Sequence, residues 1–313
     1  MGRILIFGGA GFIGTNLVEL LTKDKSSEIY VFDNLSMGSQ LHNLGLEVDF
    51  IQSDMTCLPD VTSALKEIRP NKIFHFAANS DIRASTANPR LDILNTLQTT
   101  TTLMQALKLY PVQDLVFSSS SAVYGLSSKK LSEEDPCLPI SSYGWMKLAS
   151  EEVLKQAQMQ GDVQRLLIVR FPNVTGKWQT HGVVHDLVRK ILLNKMELQV
   201  LGNGTQDKPY VLASELCLNL IRILESNWTG ELTLNLSPPS KTKVSEIAEI
   251  VVEELGLNTR ITFGDGPNGW VGDVPSYELD TSRSQQVSDM IVFSESNHAI
   301  RESVKFAFQQ FGL

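Results

Sequence analysis

The sequence predicts an α/β protein built on a doubly wound parallel sheet, followed by a smaller C-terminal lobe. Short apolar runs of strand length alternate with longer amphipathic segments through the first half of the chain. Nearly continuous apolar strands are typical of a parallel sheet that helices cover on both faces. After residue 173, glycine and proline become frequent, and loops separate the helical patterns at 183–194 and 244–255. This change of character predicts a second lobe over the open end of the sheet.

Composition narrows the class of protein. The 313 residues suffice for about two domains, and we place them at 1–173, with a return segment near 207–235, and at 174–313. The net charge of −8 argues against nucleic acid or an anionic membrane surface as a partner. Three widely spaced cysteines without a CxxC pattern fit a reducing cytoplasm. We expect no signal peptide and no membrane span.

The first apolar run, residues 2–7, leads into a glycine-rich turn and then into a helical pattern. The spacing of Gly8, Gly11 and Gly14 permits a tight turn, close approach to a pyrophosphate and close packing of helix on strand. The helix N-terminus then faces the anion. A second apolar run ends in Asp33, where a carboxylate can bind an adenosine ribose hydroxyl. This order of elements predicts a Rossmann-type sheet that binds a dinucleotide.

A tyrosine and a lysine stand four residues apart in the helical pattern from Ser142 to Gln160, so Tyr143 and Lys147 face the same way. An ammonium group beside a phenol lowers the pKa of the phenol, and the tyrosine can then transfer protons near neutral pH. Upstream, an apolar run ends in four consecutive serines at 118–121. Motifs of this kind belong at the carboxyl ends of the strands, where open α/β sheets bind ligands.

Together, the glycine turn, Asp33, the serine run and the Tyr143/Lys147 pair resemble the extended short-chain dehydrogenases/reductases. More narrowly, the chain is similar to the NAD-dependent nucleotide-sugar epimerase/dehydratase family and, within it, to the UDP-glucose 4-epimerases. The resemblance covers nearly the whole chain and implies NAD as cofactor. The cofactor-binding residues that it implies are Gly8, Gly11, Phe12, Ile13, Asp33, Asn34, Ser36, Gly38, Asp54, Met55, Phe76, Ala77, Ala78, Asn95, Tyr143, Lys147 and Phe171.

The resemblance also implies a reaction, the inversion at C4 of a UDP-hexose through a 4-keto intermediate. Tyr143 as phenolate removes the proton of the 4-hydroxyl, Lys147 binds the nicotinamide ribose, and Ser120 donates or relays a hydrogen bond. Tyr124 is expected as aromatic lining beside the nicotinamide. The implied substrate-binding residues are Asn79, Ser120, Ser121, Asn173, Val183, Val200, Lys208, Tyr210, Asp273 and Tyr277. A bulky ring at Tyr277 should disfavour an N-acetyl group.

The residues after Ser120 favour epimerisation over elimination of water. Related dehydratases carry an Asp-Glu pair at this point and decarboxylating relatives a glutamate, whereas this chain has Ser121 and Ala122. Lys208 departs from a frequent arginine, and this leaves the exact sugar nucleotide open. A nucleotide-sugar 4-ketoreductase or dehydrogenase, and an epimerase of a CDP- or GDP-sugar, stay as alternatives. A non-catalytic dinucleotide-binding protein is a more remote one.

The helical patterns at 95–109 and 142–160 have more apolar positions than a sheet needs: Leu97, Thr101, Met104, Trp145, Met146 and Val153. In the family that the chain resembles, these helices pair with a twin, so a homodimer is expected. His75 lies in an apolar strand and is expected to be a packed residue. No carboxylate at metal spacing accompanies His181 and His185, and no metal is expected. The C-terminal segment 269–275 resembles that of polysaccharide-type members, which favours a role in polysaccharide biosynthesis.

Overall fold

Thirteen strands are present in the computed structural model, which describes residues 2–36, 48–266, 273–287 and 292–311. They are β1 (Gly2–Phe7), β2 (Ser27–Asp33), β3 (Asp49–Gln52), β4 (Lys72–His75), β5 (Val112–Ser118), β6 (Val163–Arg170), β7 (Asn173–Thr175), β8 (Glu197–Val200), β9 (Asp207–Lys208), β10 (Tyr210–Leu212), β11 (Gly230–Asn235), β12 (Thr242–Lys243) and β13 (Arg260–Phe263). Seven of them form one sheet in the order β11-β6-β5-β4-β1-β2-β3, with every neighbouring pair parallel.

The described helices lie between these strands and after them. They are α1 (Phe12–Leu21), α2 (Leu58–Ile68), α3 (Ile82–Ala87), α4 (Arg90–Asp92), α5 (Thr99–Leu107), α6 (Ser142–Met159), α7 (Val183–Leu193), α8 (Ala213–Glu225), α9 (Val244–Glu254), α10 (Ser282–Val287) and α11 (Ser296–Gln310). Among them, none is long and apolar enough to cross a bilayer.

Both faces of the sheet are buried, which explains the nearly continuous apolar strands. Side chains alternate along β1, so that Ile4 and Ile6 join the core under α1 and α8, while Leu5 and Phe7 join the core under α2, α5 and α6. The central strands are therefore covered by helices on both faces, whereas the edge strand β3 is only partly buried. The predicted Rossmann-type doubly wound parallel sheet is confirmed.

The later part of the chain builds a smaller core and also returns to the sheet. Helices α7, α9 and α11 pack with β8 around a separate apolar cluster that includes Leu187, Ile247 and Ile300. Between these helices, β11 pairs with β6 along its whole length, from Gly230 beside Arg165 to Asn235 beside Arg170. The C-terminal half of the chain thus supplies one edge strand of the sheet.

The helix that the sequence predicts at 95–109 is not a continuous α-helix. Residues Ile93–Gln98 form a π-helical stretch, and α5 begins only at Thr99. The hydroxyl groups of Thr99 and Thr100 both donate to the carbonyl oxygen of Thr96, at 2.8 and 2.9 Å. Such bonds compete with the regular backbone ladder and are typical of local departures from α-helical geometry.

His75 is a packed residue of the sheet, as the sequence predicts. Its ring lies between Phe7 and Phe117 with centroid distances of 6.4 and 5.4 Å, and its Nε2 bonds to the Thr100 hydroxyl at 2.9 Å. Burial, with a smaller contribution from Lys147, lowers the pKa of His75 from 6.5 to about 3. Between these values the unfolded chain binds a proton that the folded protein excludes.

We expect the free energy of unfolding to fall as the pH drops from 6.5 towards 3, partly through this histidine. His75→Phe keeps a ring of similar size but removes the proton site, so its stability should depend less on pH in this window. Urea unfolding at a series of pH values measures the slope. His298→Gln, at an exposed position of α11, is the control. Equal slopes for the wild type and His75→Phe would contradict this prediction.

Candidate active site

The glycine turn after β1 has no room for side chains. A Cβ on Gly8, which has a φ of +75°, would lie 2.5 Å from the backbone nitrogen of Ala77, just beyond β4. A Cβ on Gly14 would lie 2.3 Å from the carbonyl oxygen of Gly8. Helix α1 begins directly after Gly11, which offers no side chain to cap its first N–H groups. These donors are left for an anion, as a dinucleotide pyrophosphate requires.

Asp33 ends β2 beside this turn. Its carboxylate accepts hydrogen bonds from the backbone N–H groups of Ala10 at 3.0 Å and Leu35 at 2.8 Å. Burial raises the pKa of Asp33, while these N–H groups act in the opposite direction. For Asp54, burial is outweighed by hydrogen bonds from Thr56 and Asn34, and its pKa lies below the ordinary value. Both carboxylates retain lone pairs for a ribose or an adenine amino group.

A cavity of about 780 Å³ opens along the carboxyl ends of the strands. With the exception of Tyr124, every predicted site residue in the described part of the chain lines it, and Gly38 lies outside that part. The cofactor-side lining is Gly8, Gly11, Phe12, Ile13, Asp33, Asn34, Ser36, Asp54, Met55, Phe76, Ala77, Ala78, Asn95 and Phe171. The remainder is Asn79, Ser120, Ser121, Tyr143, Lys147, Asn173, Val183, Val200, Lys208, Tyr210, Asp273 and Tyr277. A glycine turn, a helix N-terminus with free N–H groups and the carboxylates of Asp33 and Asp54 all line this cavity, and such groups fit a dinucleotide.

Helix α6 places the tyrosine and the lysine on the cavity wall. Its N-cap, Ser141, accepts a hydrogen bond from the backbone N–H of Gly144 at 3.1 Å, so Tyr143 lies in the first turn. One turn later, the ammonium group of Lys147 donates to the carbonyl oxygen of Ser118 at 2.5 Å. It also lies 4.9 Å from the ring centre of Phe117 and 5.8 Å from that of Tyr143.

The proton affinities of the pair differ from the sequence-based expectation. Burial raises the pKa of Tyr143 to about 12, although a hydrogen bond with Ser120 lowers it. Burial lowers the pKa of Lys147 to about 7, while Glu151 and Asp92 raise it. The expectation that Lys147 holds the pKa of the phenol low is therefore wrong for this arrangement. Loss of hydration raises the pKa of the phenol more than its neighbours lower it, and also favours the neutral lysine.

The four serines do not share one environment. Ser118, Ser120 and Ser121 line the cavity, whereas the hydroxyl of Ser119 turns away from it and donates to the carboxylate of Glu151. Ser120 has an extended backbone, and a short 3-10 turn at Ser121–Val123 then ends the strand. The alternation along a strand thus presents Ser118 and Ser120 on the cavity side.

Behind this strand end lies a buried polar network that the sequence did not predict. Glu151 binds the guanidinium of Arg170 through two hydrogen bonds, at 2.6 and 3.0 Å. Arg170 in turn donates to the hydroxyl of Tyr124 at 3.1 Å, and that hydroxyl donates to Asn235 at 2.8 Å. Tyr124 is 2% exposed and lies outside the cavity lining. The expectation that it lines the nicotinamide pocket is therefore wrong, because its ring is packed beneath the strand end.

The residues expected to bind substrate are engaged with one another. Lys208 forms a short ion pair with Asp273, which also accepts a hydrogen bond from Gln206 at 3.2 Å. The amide of Asn173 lies 3.4 Å from the hydroxyl of Tyr277. Burial raises the pKa of Tyr277, which keeps its hydroxyl neutral.

Asn79 uses its side chain inside the loop after β4. Its amide nitrogen donates to the carboxylate of Asp92 at 2.7 Å and to the carbonyl oxygen of Asp81 at 3.2 Å. Its side-chain oxygen accepts from the N–H of Asp81 at 3.2 Å. This residue therefore organises the loop that lies along the cavity.

The loop between β7 and α7 also lines the cavity, through Trp178, Gln179 and His181 among others. In this region the sequence predicted only Val183, the first residue of α7. Lys177 forms an ion pair with Glu19 at 2.7 Å, and its carbonyl oxygen accepts from Asn16 at 2.9 Å. The loop is thereby attached to the glycine-turn helix. Lys177 and Glu19 are 158 positions apart, so no local sequence pattern could predict their contact. Across the described residues, no cluster of three His, Cys, Asp or Glu side chains could hold a metal ion.

The parallel sheet and the cavity at its carboxyl edge are those of the dinucleotide-dependent α/β enzymes. The sequence profile of the NAD dependent epimerase/dehydratase family matches residues 4–236, and the chain belongs to that family. It is 29% identical over 310 residues to a UDP-glucose 4-epimerase of Bacillus subtilis (strain 168), covering 90% of each chain.

Solved structures of such enzymes are similar along the whole chain. A crystal structure of a UDP-galactose 4-epimerase is 30% identical, with a TM-score of 0.86 over 98% of this chain and 99% of that one. A UDP-glucose 4-epimerase of Thermus thermophilus, solved with NAD, is 26% identical, with a TM-score of 0.85 over 98% and 99% of the two chains.

The clearance at Gly8 gives a test of the cofactor wall. In Gly8→Ala the new methyl group meets the backbone of Ala77, so the turn must move away from the pyrophosphate position. We expect the affinity for NAD, measured by calorimetry, to fall about tenfold or more, or roughly 1.4 kcal/mol.

Gly161→Ala is the matched control. Gly161 has a φ of +84°, similar to Gly8, but a Cβ there meets nothing within 4 Å. Both variants therefore strain a left-handed backbone, but only Gly8→Ala places a methyl group in the glycine turn proposed to bind the pyrophosphate. NAD affinity that is equal in the two variants would contradict the assignment of this turn.

Proposed function

We propose that this protein catalyses the NAD-dependent inversion of the C4 centre of a UDP-hexose, of the UDP-glucose/UDP-galactose type, through a 4-keto intermediate. The observation that carries the proposal is one cavity with a dinucleotide cradle on one wall and Tyr143, Lys147 and Ser120 on the other. The similarity to UDP-glucose 4-epimerases over nine-tenths of the chain supports the same reaction.

Tyr143 holds or takes the proton of the sugar 4-hydroxyl. Its hydrogen bond with Ser120 gives that proton a defined neighbour and stabilises the phenolate once it forms. Lys147 is fixed by the carbonyl oxygen of Ser118, and its other two N–H groups are free to bind a ribose hydroxyl and to face the phenolate. The turn at Gly8 and Gly11 and the carboxylate of Asp33 would hold NAD, which would supply reversible hydride transfer at C4 and a positive ring charge that lowers the pKa of nearby acids.

The lining after Ser120 supports epimerisation rather than elimination of water. Ser121 and Ala122 line the cavity at the positions where dehydratases of the resembling family carry carboxylates. Neither side chain can act as an acid or base near neutral pH, so C5 and C6 of a hexose meet no group there that could drive elimination.

On the substrate side, we propose that Lys208 binds the diphosphate once it leaves Asp273, with Asn173, Val183, Val200, Tyr210 and Tyr277 around the nucleotide and the sugar. The neutral, buried hydroxyl of Tyr277 beside Asn173 supports a tight sugar pocket that favours a hexose without an N-acetyl group. We also propose the division into 1–173, with a return at 207–235, and 174–313. The place of β11 beside β6 supports it.

The free thiols of Cys57, Cys137 and Cys217 support a cytoplasmic location for this reaction. Within the cytoplasm, we propose that the product supplies polysaccharide biosynthesis.

Tyr143→Phe removes the proton-transfer group and keeps the ring. We expect interconversion of UDP-glucose and UDP-galactose to slow by about a hundredfold or more, as is typical when a general base is lost. Anion-exchange chromatography of the two sugars, with NAD in substoichiometric amount, measures the rate. Tyr30→Phe, in β2 and outside the cavity lining, is the control.

Three outcomes would redirect the proposal. NADH that accumulates in step with product indicates a 4-ketoreductase or dehydrogenase. Conversion of CDP- or GDP-hexoses alone indicates a different base. Full biological function in Tyr143→Phe indicates a non-catalytic dinucleotide-binding protein.

We further propose a homodimer through the outer face of α6 and the π-helical stretch. Trp145 is 50% exposed and Ile93 46% exposed, and both are apolar. Half-buried residues extend this face: Leu97 in the π-helical stretch, Thr101 and Met104 in α5, and Met146 and Val153 in α6. An apolar face of this kind is typical of subunit interfaces.

Trp145→Glu places a charge in the proposed interface, so we expect the mass in solution, measured by light scattering, to fall from two chains to one. Met159→Glu, at the exposed end of the same helix, is the control and should stay dimeric. A wild-type mass of one chain would refute the homodimer.

A further inference from the structure

Two opposite charges are buried behind the serine strand, and the proposed reaction does not use either. Glu151 is 0% and Arg170 4% exposed, and they are joined through both carboxylate oxygens. The hydroxyl of Ser119 also donates to Glu151. Removing two charges from water is costly, and a buried pair is often replaceable by neutral side chains without loss of stability. Stability alone therefore gives no strong reason for charge at this place.

The position of Glu151 gives another reason. It follows Lys147 by four residues and Tyr143 by eight, so all three lie on one face of α6. The ammonium of Lys147 binds the carbonyl oxygen of Ser118, and the carboxylate of Glu151 binds the hydroxyl of Ser119. The two charged groups are thus hydrogen-bonded to adjacent residues at the end of β5, directly before Ser120.

The network continues from the catalytic helix to the substrate side of the cavity. Arg170 connects Glu151 to Tyr124, and Tyr124 to Asn235, as described above. The amide of Asn235 then donates to the carbonyl oxygens of Asp280 at 3.1 Å and Leu131 at 3.0 Å. Asp280 lies three residues after Tyr277, which lines the cavity together with Asp273. A chain of hydrogen bonds therefore connects the catalytic helix to the segment that carries these substrate-side residues.

We propose that Glu151 is a positioning residue for Lys147, which keeps the ammonium group charged and fixed against the serine strand, and that this role is separate from its pairing with Arg170. The inference rests on the proposed epimerisation for its role in turnover, but the effect on Lys147 can be measured without turnover.

Among the described residues, four titratable side chains act on the charge of Lys147, and the guanidinium of Arg170 lies behind one of them, Glu151. Glu151 and Tyr143 face it from α6, Asp92 from the end of α4 and His75 from β4. His75 stays neutral because burial lowers its pKa to about 3. One oxygen of Asp92 is bound by Asn79. The pKa of Lys147, near 7, thus reflects burial against two carboxylates, and the loss of one of them favours the neutral amine.

The test compares single and double variants. Glu151→Gln removes the carboxylate but leaves Arg170 unpaired, which can unfold the protein for an unrelated reason. Glu151→Gln/Arg170→Gln removes both charges and restores neutrality. The matched control is Asp114→Asn/Arg165→Gln, a 2.6 Å ion pair between β5 and β6 at the end of these strands opposite the cavity.

The first measurement is the titration of Lys147 by NMR in protein labelled with carbon-13 at the lysine ε-carbon. The Lys147 signal is the one that Lys147→Arg lacks. We expect its midpoint to fall by about one pH unit in Glu151→Gln, to fall by less in the double variant, which also loses the opposing charge of Arg170, and to stay unchanged in the control. A wild-type midpoint in the double variant would overturn the proposal, because Glu151 would then serve Arg170 alone.

The second measurement is the turnover of UDP-galactose across pH. We expect kcat at neutral pH to fall about tenfold in Glu151→Gln and by less in the double variant, with KM unchanged and with recovery at lower pH, where Lys147 regains its proton. A pH profile identical to that of the wild type would also overturn the proposal. If the wild type converts no UDP-hexose, the proposed function fails, while the NMR midpoint still decides the role of Glu151.

Discussion

Close contact between the turn after β1 and the end of β4 is the constraint on which the site depends. At Gly8 the two backbones approach so closely that even a methyl group would overlap Ala77. This contact fixes where α1 begins, and hence where its free N–H groups point. It also fixes the position of the loop after β4, in which Phe76, Ala77 and Ala78 line the cavity. The parallel sheet then brings the ends of β2, β5 and β6 to the same edge.

Loss of hydration governs the chemistry at that edge. It lowers the pKa of Lys147 and raises those of Tyr143 and Asp33, in each case against the charged form. The neighbours that oppose it are local: N–H groups for Asp33, a hydroxyl for Tyr143 and carboxylates for Lys147. A cavity built in this way discriminates strongly between charged and neutral ligand groups. A ligand charge that enters it interacts with side chains that have little access to water, and such interactions are stronger than in water.

Sequence alone predicted the parts of the site that depend on spacing along the chain. The glycines before α1, Asp33 at the end of β2, and the Tyr143–Lys147 pair on one helical face are all local patterns. The contacts of Glu151 and Tyr124 were out of reach, because their partners Arg170 and Asn235 lie on other strands, 19 and 111 residues away. The pKa of Tyr143 was mispredicted for a related reason. The spacing along the helix identified Lys147 as the charge beside Tyr143, whereas the pKa of Tyr143 is decided mainly by burial in the folded chain. The threonine-rich helix start likewise gave no sequence sign of its π-helical turn.

The return of the chain to the sheet at β11 affects how the protein reaches its fold. β6 ends at residue 170, but its outer edge is paired only when β11, at 230–235, is added. During synthesis on a ribosome, just over half of the chain, up to residue 170, has emerged when β6 is complete. The outer edge of β6 then stays open, and able to pair with other chains, until about sixty further residues have followed.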